Sequence, residues 1–195
     1  MIPEPIRAGV QARFKSVQPT TISAALSVRI IGLGRVGQSL QHTLAEFGVP
    51  TVGWSRSEGD LTEHLRAIPL DTNQLILVTV SDPAIEQIVG HLVPFLDGSQ
   101  VVLHCAGARG PVCVEGLNPN LSGVLHPIRA IPDGRTSITH QVWGISGGDL
   151  AQAKARELIA LFEGEHVTVP DDKAVIYHAG MVIAGNFPLA LQAVS

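Results

Sequence analysis

The sequence predicts an α/β fold, a doubly wound and mostly parallel sheet followed by the start of an all-α segment. Three observations lead to this prediction. Short apolar runs alternate with amphipathic helical patterns over residues 28–169, the first run leads into a glycine-rich turn, and residues 174–187 are almost entirely apolar. Alternation of strands with helical patterns is typical of a parallel sheet that carries helices on both faces.

Each predicted element rests on its own pattern. The run at 75–80 is apolar throughout, as expected of a strand buried on both faces. The helix at 35–47 has Val36, Leu40 and Leu44 on one side, and Gly48 ends it. Strands are predicted at 28–32, 51–54, 75–80, 101–105, 123–128, 141–146 and 165–169, and helices at 35–47, 57–67, 83–96 and 149–162.

Composition excludes several classes of protein. The 195 residues suffice for one full domain and part of a second, and 45% hydrophobic with 15% charged residues argues against disorder. A net charge of −4 provides no basic surface for nucleic acid. The eight histidines show no metal-ligand spacing, so no metal is predicted. Cys105 and Cys113 without a secretory signal indicate free thiols and a cytoplasmic protein.

The glycine-rich turn is the strongest functional signal. Gly32 allows a tight exit from the strand, Gly34 lets a pyrophosphate approach the backbone, and Gly37 lets the helix pack closely on the strand. Free N–H groups at the helix start would bind the phosphates. We therefore predict a nicotinamide dinucleotide site; the alternative is a strand–helix turn without a ligand. The predicted contacts also include Leu33, Arg35 and Val36.

The end of the second strand bears on the choice of cofactor. An NAD site usually has Asp or Glu there to bond the ribose 2′-hydroxyl, but this chain has Ser55, Arg56 and Ser57 before Glu58. A hydroxyl followed by Arg suits a 2′-phosphate better. NADP is therefore favoured, with NAD as the alternative and Arg56 then a solvated loop residue.

The loops after the third and fourth strands are expected to line the cofactor. Val80, Ser81 and Asp82 follow a central strand, beside the glycine turn, where ligands bind in open α/β sheets. Simple capping of the next helix is the other interpretation, and both can hold together. The small residues that begin at Ala106 would leave room for a nicotinamide ring.

The two ends of the chain differ from its middle. Residues 1–27 have a faint likeness to a transit peptide, with three basic residues against one acid; a plain N-terminal extension is favoured. The apolar segment 174–187 is long enough for a membrane span, but His178, Asn186 and Pro188 argue against one. A helix buried in a protein core is the favoured interpretation.

The motifs together resemble a known family. The chain is similar to Rossmann-like oxidoreductases whose second domain is domain of unknown function 2520. The similarity lies in the runs at 31–40, 78–85, 103–108 and 125–128, together with Lys173, 177–179 and Asn186. That family resembles the 6-phosphogluconate dehydrogenase, prephenate dehydrogenase and pyrroline-5-carboxylate reductase groups.

The resemblance implies a two-part chain. Residues 28–170 would form an NAD(P)-binding Rossmann domain, and 171–195 the first helix of a helical domain for substrate binding and dimerisation. The glycines at 32, 34 and 37 and the 80–82 loop carry over as cofactor contacts. The family's helical domain has several more helices, so an incomplete substrate pocket is expected here.

Two functions are consistent with these residues. The first is an NADP-dependent oxidoreductase that transfers a hydride to or from a small carbonyl, imine or hydroxyacid. His178 would be the general acid/base, Lys173 would orient the substrate oxygen and Asn186 would hydrogen-bond it, with His126 lining the substrate. His178 as a satisfied core residue and Lys173 as a solvated one are the alternatives. The second function is a dinucleotide-binding sensor or scaffold without turnover.

Overall fold

A seven-stranded sheet forms the centre of the chain in a computed structural model, which describes residues 26–193, with side chains as far as residue 184. The strands are β1 (Val28–Ile31), β2 (Thr51–Trp54), β3 (Leu75–Val78), β4 (Val101–His104), β5 (Ser122–Pro127), β6 (Val142–Gly147) and β7 (Glu165–Thr168). The helices are α1 (Arg35–Glu46), α2 (Leu61–Ala67), α3 (Ile85–Leu92), α4 (Asp149–Leu161) and α5 (Ala174–Ala193).

The strand order confirms the predicted fold class. The sheet runs β2-β1-β3-β4-β5-β6-β7; the first five strands of the chain are parallel, β6 is antiparallel to β5, and β7 is parallel to β6. This is a Rossmann fold. Since β1 lies between β2 and β3, the order of the strands reverses at β1, and ligands bind such sheets at the carboxyl ends of the strands at this point.

Helices cover both faces of the sheet, so the sheet has two hydrophobic cores. On one face β1, α1 and α4 contribute side chains to one buried cluster that includes Ile30, Leu40 and Leu158. On the other face the next residue of β1, Ile31, belongs to a second buried cluster with side chains of α2 and α3. Each of these fully buried aliphatic side chains stabilises the fold by about 2 kcal/mol. The alternating faces of β1 therefore anchor both layers.

The predicted boundaries are displaced in three places. The helix predicted at 57–67 is a 3₁₀ turn (Arg56–Glu58) and then α2, which begins at Leu61 after its cap Asp60. The single helix predicted at 83–96 is a 3₁₀ turn (Asp82–Ala84), α3 and a second 3₁₀ turn (Val93–Phe95). Pro94 explains the second break, because proline has no N–H to continue the helical ladder. The strand predicted at 75–80 ends at Val78, and Thr79 and Val80 leave it to contact the glycine loop.

Helix α5 does not match the expectation of a helix buried in a protein core. Val175 is 68% exposed and Ile176 is 71% exposed, whereas Ala174 is buried. Only one side of the described part of α5 meets the sheet. Among the residues that the structure describes, no helix is both long and apolar enough to cross a membrane. The predicted extension at residues 1–27 lies almost wholly outside the described residues, and the division at residue 170 stays a prediction.

Candidate functional site

The glycine loop between β1 and α1 packs against Thr79 and Val80, the two residues that follow β3. Gly32 has φ of 110°, and a Cβ built on it would lie 2.8 Å from Cγ1 of Val80. A side chain at this position would therefore meet both backbone strain and a steric clash. The loop requires glycine here because Val80 fills the space next to its backbone.

Thr79 and Gly37 hold α1 against the sheet. The Thr79 hydroxyl donates to the Gly32 carbonyl at 2.5 Å, and its N–H donates to the Ile31 carbonyl at 2.9 Å. A Cβ on Gly37 would overlap the Gly32 carbonyl and lie 2.7 Å from Oγ1 of Thr79. The predicted close packing of helix on strand is therefore present, and it depends on glycine at position 37.

Gly34, in contrast, faces open space. It is the residue before α1, no side chain caps this helix, and a Cβ on Gly34 would meet no atom within 4 Å. Arg35 beside it is exposed, and the Leu33 side chain packs against Gly53 of β2. An uncapped helix start with unobstructed backbone is the arrangement that binds phosphate groups.

The end of β2 presents hydroxyl and cationic groups rather than a free carboxylate. The N–H of Ser55 donates to the Glu58 carboxylate at 2.6 Å, so Glu58 caps the local turn. The hydroxyls of Ser55 and Ser57 lie 2.7 Å apart, and Arg56 is exposed. Both acids of this loop are therefore engaged by the backbone, Glu58 by the N–H of Ser55 and Asp60 by the N–H of Glu63, which leaves Arg56 as the exposed cation beside the two hydroxyls.

The loop after β3 is held in place by Arg109, which lies in the loop that follows β4. Ser81 and Asp82 are exposed, and Val80 packs on Gly32. Arg109 donates to the Asp82 carbonyl at 2.6 Å and forms an ion pair with Glu86. These two contacts of Arg109 stabilise the loop that lies beside the glycine turn.

His104, at the end of β4, has a structural role. Its Nδ1 accepts from the N–H of Ala106 at 3.2 Å, so Nε2 carries the proton and donates to the Gly110 carbonyl at 2.9 Å. Burial lowers the pKa of His104, which keeps the ring neutral. Ala106 itself is only 7% exposed and packs in the core; its predicted contact with a cofactor stays a prediction.

Two predicted residues from distant parts of the sequence lie together. His126 of β5 and His178 of α5 have ring centroids 5.4 Å apart, at an interplanar angle of 69°. Nδ1 of His126 lies 3.1 Å from the Tyr177 hydroxyl. Nδ1 of His178 is buried and has no hydrogen-bond partner within the described part of the chain. A buried nitrogen without a partner is a position that a ligand could satisfy.

Burial sets the charge of the groups around His126. Burial and then His178 lower the pKa of His126 to about 4, so the ring is neutral near pH 7. Burial raises the pKa of the Tyr177 hydroxyl to about 12. Together with Arg109 and Ser146, these two side chains line a shallow pocket between β5, β6 and α5. The pocket therefore presents uncharged hydrogen-bonding groups next to one cation.

Lys173 and Asn186 are not placed with these groups by any contact of the described residues. The Lys173 ammonium lies 2.7 Å from the Asp172 carboxylate, and both side chains are exposed. The side chain of Asn186 lies outside the described residues. The roles predicted for both residues stay predictions.

Sequence reasoning missed three residues of the site: Thr79, Arg109 and Tyr177. Thr79 follows a strand without a motif of its own, and Arg109 lies in a loop rich in glycine and proline. Tyr177 precedes His178 in an almost uniformly apolar segment. It is the only tyrosine of the chain, and a phenol in such a segment was a signal that could have identified it as a site residue. A buried phenol usually needs a hydrogen-bond partner.

The chain is similar in fold to several solved structures. A protein from Thermotoga maritima has a TM-score of 0.63 at 22% identity, over 86% of this chain and 67% of that one. A candidate NADP oxidoreductase from Bacteroides fragilis has a TM-score of 0.66 at 18% identity, over 87% and 70%. Prephenate dehydrogenase from Aquifex aeolicus, in complex with hydroxyphenyl propionate and NAD+, has a TM-score of 0.62 at 14% identity, over 79% and 63%.

These similarities establish the Rossmann fold and go no further, because all three identities are below 25%. The chain spans between 63% and 70% of the length of these proteins. No family model and no curated protein sequence matches the chain. Membership of the family with domain of unknown function 2520 is therefore not confirmed, while the fold that the resemblance implied is.

Proposed function

We propose that this protein is an NADP-dependent oxidoreductase that acts on a small carbonyl, imine or hydroxyacid. The observation that carries the proposal is the open backbone at Gly34, where an uncapped helix start lies at the reversal point of the sheet. Gly32 and Gly37 at the same turn are packed against Val80 and Thr79. The space at Gly34 is thus left free within a loop that is otherwise tightly packed.

The proposed preference for NADP rests on the end of β2. Arg56 is exposed and can form charge-assisted hydrogen bonds to a 2′-phosphate, and Ser55 and Ser57 add hydroxyl groups. Glu58, which could bond the 2′-hydroxyl of NAD, is held by the N–H of Ser55. The names of the structural neighbours include both NADP and NAD+, so the preference depends on these residues of the chain.

The nicotinamide would supply or accept the hydride, and the chain's own residues would bind and orient the substrate. His126, neutral and beside Tyr177, would hydrogen-bond a substrate oxygen or nitrogen. His178 would exchange a proton with it, through the Nδ1 that lacks a partner in the described residues. Lys173 and Asn186 remain proposed contributors from the helical segment, which we also propose as the dimerisation and substrate region.

A dinucleotide-binding sensor or scaffold without turnover is the second candidate. The exposed apolar side of α5 favours it, because that surface suits a protein partner as well as a substrate domain. Both candidates bind a dinucleotide at the same loop, so binding alone does not separate them.

Titration followed by turnover separates the two functions. Trp54 is buried immediately before Ser55 and Arg56, so its fluorescence should change when NADPH or NADH binds. The absorbance of the reduced nicotinamide is then followed with a panel of keto, imino and hydroxy acids. Oxidation or reduction by one class establishes the enzyme. Binding without turnover on any compound favours the sensor, and full turnover by a His178→Ala variant removes the role proposed for His178.

A further inference from the structure

A niche between β5, β6 and α5 holds the hydroxyl of Tyr177. His126 of β5 and Gly144 of β6 are directly opposite in the antiparallel register. A Cβ on Gly144 would overlap the Tyr177 hydroxyl, so the glycine leaves the room that the hydroxyl occupies. The rings of His126 and Tyr177 meet edge to face, with centroids 5.8 Å apart. The position of the hydroxyl is therefore set by the sheet as well as by its own helix.

The chemistry of the two groups sets the direction of their hydrogen bond. Both are uncharged near neutral pH, because burial lowers the pKa of His126 to about 4 and raises that of Tyr177 to about 12. A phenol O–H is a stronger acid than an imidazole N–H, and an imidazole nitrogen is a stronger base than a phenol oxygen. The favoured arrangement is therefore donation from the hydroxyl to Nδ1 over their 3.1 Å separation.

We propose that Tyr177 is a positioning residue for His126: its hydroxyl donates to Nδ1 and so fixes the imidazole proton on Nε2, the nitrogen that meets the substrate. The fixed tautomer makes His126 a hydrogen-bond donor, which selects substrates with a carbonyl or other acceptor oxygen. This inference rests on the proposed oxidoreductase function, since only a bound substrate gives the Nε2 proton a use.

The Nε2 side of the His126 ring lies at the carboxyl end of the parallel strands. A Cβ on Gly107 would lie 2.6 Å from Nε2 of His126, so this edge packs over the loop that leaves β4. That loop lies at the carboxyl end of a parallel strand, where ligands bind in this fold. Besides Tyr177, the charged or titratable groups that act on His126 are His178, Asp82 and His104.

Nitrogen-15 NMR of the histidine side chains tests the proposal without any ligand. The His126 signals are assigned from their loss in a His126→Asn variant. We expect a protonated Nε2 and an unprotonated Nδ1 in the wild-type protein between about pH 6 and about pH 8. In Tyr177→Phe this single tautomer should be lost, with both nitrogens shifting toward values averaged between the two tautomers.

A second variant retains Tyr177 but displaces its hydroxyl. Gly144→Ala places a methyl group where the Tyr177 hydroxyl lies, so it should change the His126 signals in the same direction as Tyr177→Phe. Gly90→Ala is the matched control, because a Cβ on Gly90 meets no atom within 4 Å, and it should leave the signals unchanged. A wild-type proton on Nδ1, or an unchanged His126 tautomer in both test variants, would overturn the proposal.

The same spectra separate this proposal from the proposed function. Adding NADPH to the wild-type and Tyr177→Phe proteins measures cofactor binding independently of the tautomer. A tautomer fixed by Tyr177 in a protein that binds no NADPH would refute the proposed NADP-dependent oxidoreductase and keep the positioning contact. NADPH binding with a tautomer that does not depend on Tyr177 would refute the positioning contact and leave the proposed function standing.

Discussion

Arg56 is the side chain on which the choice between the two dinucleotides depends. It is exposed at the end of β2 and begins a turn whose acid, Glu58, already accepts a backbone hydrogen bond. A guanidinium pairs well with a phosphate and gains little from a ribose hydroxyl. Discrimination between NADPH and NADH should therefore be localised in this one residue.

Replacing Arg56 by alanine should weaken NADPH binding by at least about 10-fold, because charge-assisted hydrogen bonds are worth about 1.5–3 kcal/mol. NADH binding should change by less than about twofold. Tryptophan quenching measures both affinities. Arg66→Ala, at an exposed position of α2, is the control for loss of one positive charge. Equal losses for both cofactors would contradict the assignment of Arg56 to the 2′-phosphate.

His126 should make stability depend on pH. Its pKa is about 4 in the folded chain and about 6.5 when exposed, so the unfolded chain binds more protons between these values. His126 therefore does not reduce the free energy of unfolding above about pH 6.5, and it reduces it progressively as the pH drops toward 4. The melting temperature of His126→Asn should fall less between about pH 7 and about pH 5 than that of the wild type. An identical fall in both proteins would show that His126 is not buried as described.

Single residues were the hardest features to predict from the sequence. The glycines at 32, 34 and 37 were predictable, because they form a local motif: Gly32 and Gly37 meet steric requirements of the turn, and Gly34 leaves its backbone open. The proximity of His126 and His178 depends on how α5 docks on the sheet, which no local pattern specifies. Tyr177 was missed as a functional residue for the same reason, since its partner is 51 residues away in the sequence.

At the scale of elements, α1 is fixed by its contact with the glycine loop. The Gly32 carbonyl and the Thr79 hydroxyl occupy the space beside Gly37, so α1 cannot approach the sheet if position 37 carries a side chain. Strand and helix existence followed from apolar patterning, and the boundaries were displaced where Pro94 and the Thr79–Val80 step interrupt it. Patterning reports burial, whereas these interruptions depend on backbone hydrogen bonding.

Gly37→Ala should lower the free energy of unfolding by about 1–3 kcal/mol, the usual cost of forcing extra volume into a packed contact. Gly90→Ala, in the open middle of α3, should instead be neutral or stabilise by up to about 1 kcal/mol. Urea unfolding of the two variants measures the contrast. Similar stabilities would mean that α1 is not held as closely as the structure describes.

At the scale of the whole molecule, α5 exposes an apolar surface. Val175 and Ile176 are 68% and 71% exposed, and Val182 and Ile183 are 41% and 54% exposed. Exposed apolar surface of this extent is typical of an association face. We propose that a second copy of the chain covers it, which agrees with the predicted homodimer.

Sedimentation velocity tests this association. Ile176→Glu should shift the protein toward monomer, because a carboxylate cannot be buried unpaired in an apolar interface. Leu150→Glu, at a 51% exposed position on α4, should leave the distribution unchanged. A wild-type protein that is monomeric at every concentration would exclude the dimer.

Calorimetric titration of NADPH into the wild-type, Gly34→Ala and Gly90→Ala proteins tests the central claim most directly. A methyl group at position 34 meets no protein atom, so it should leave the melting temperature unchanged, yet it occupies the space proposed for the pyrophosphate. The account predicts wild-type affinity for Gly90→Ala and at least about 10-fold weaker binding for Gly34→Ala. Equal affinity of all three proteins for NADPH, or no binding by the wild type at about 1 mM, would contradict it.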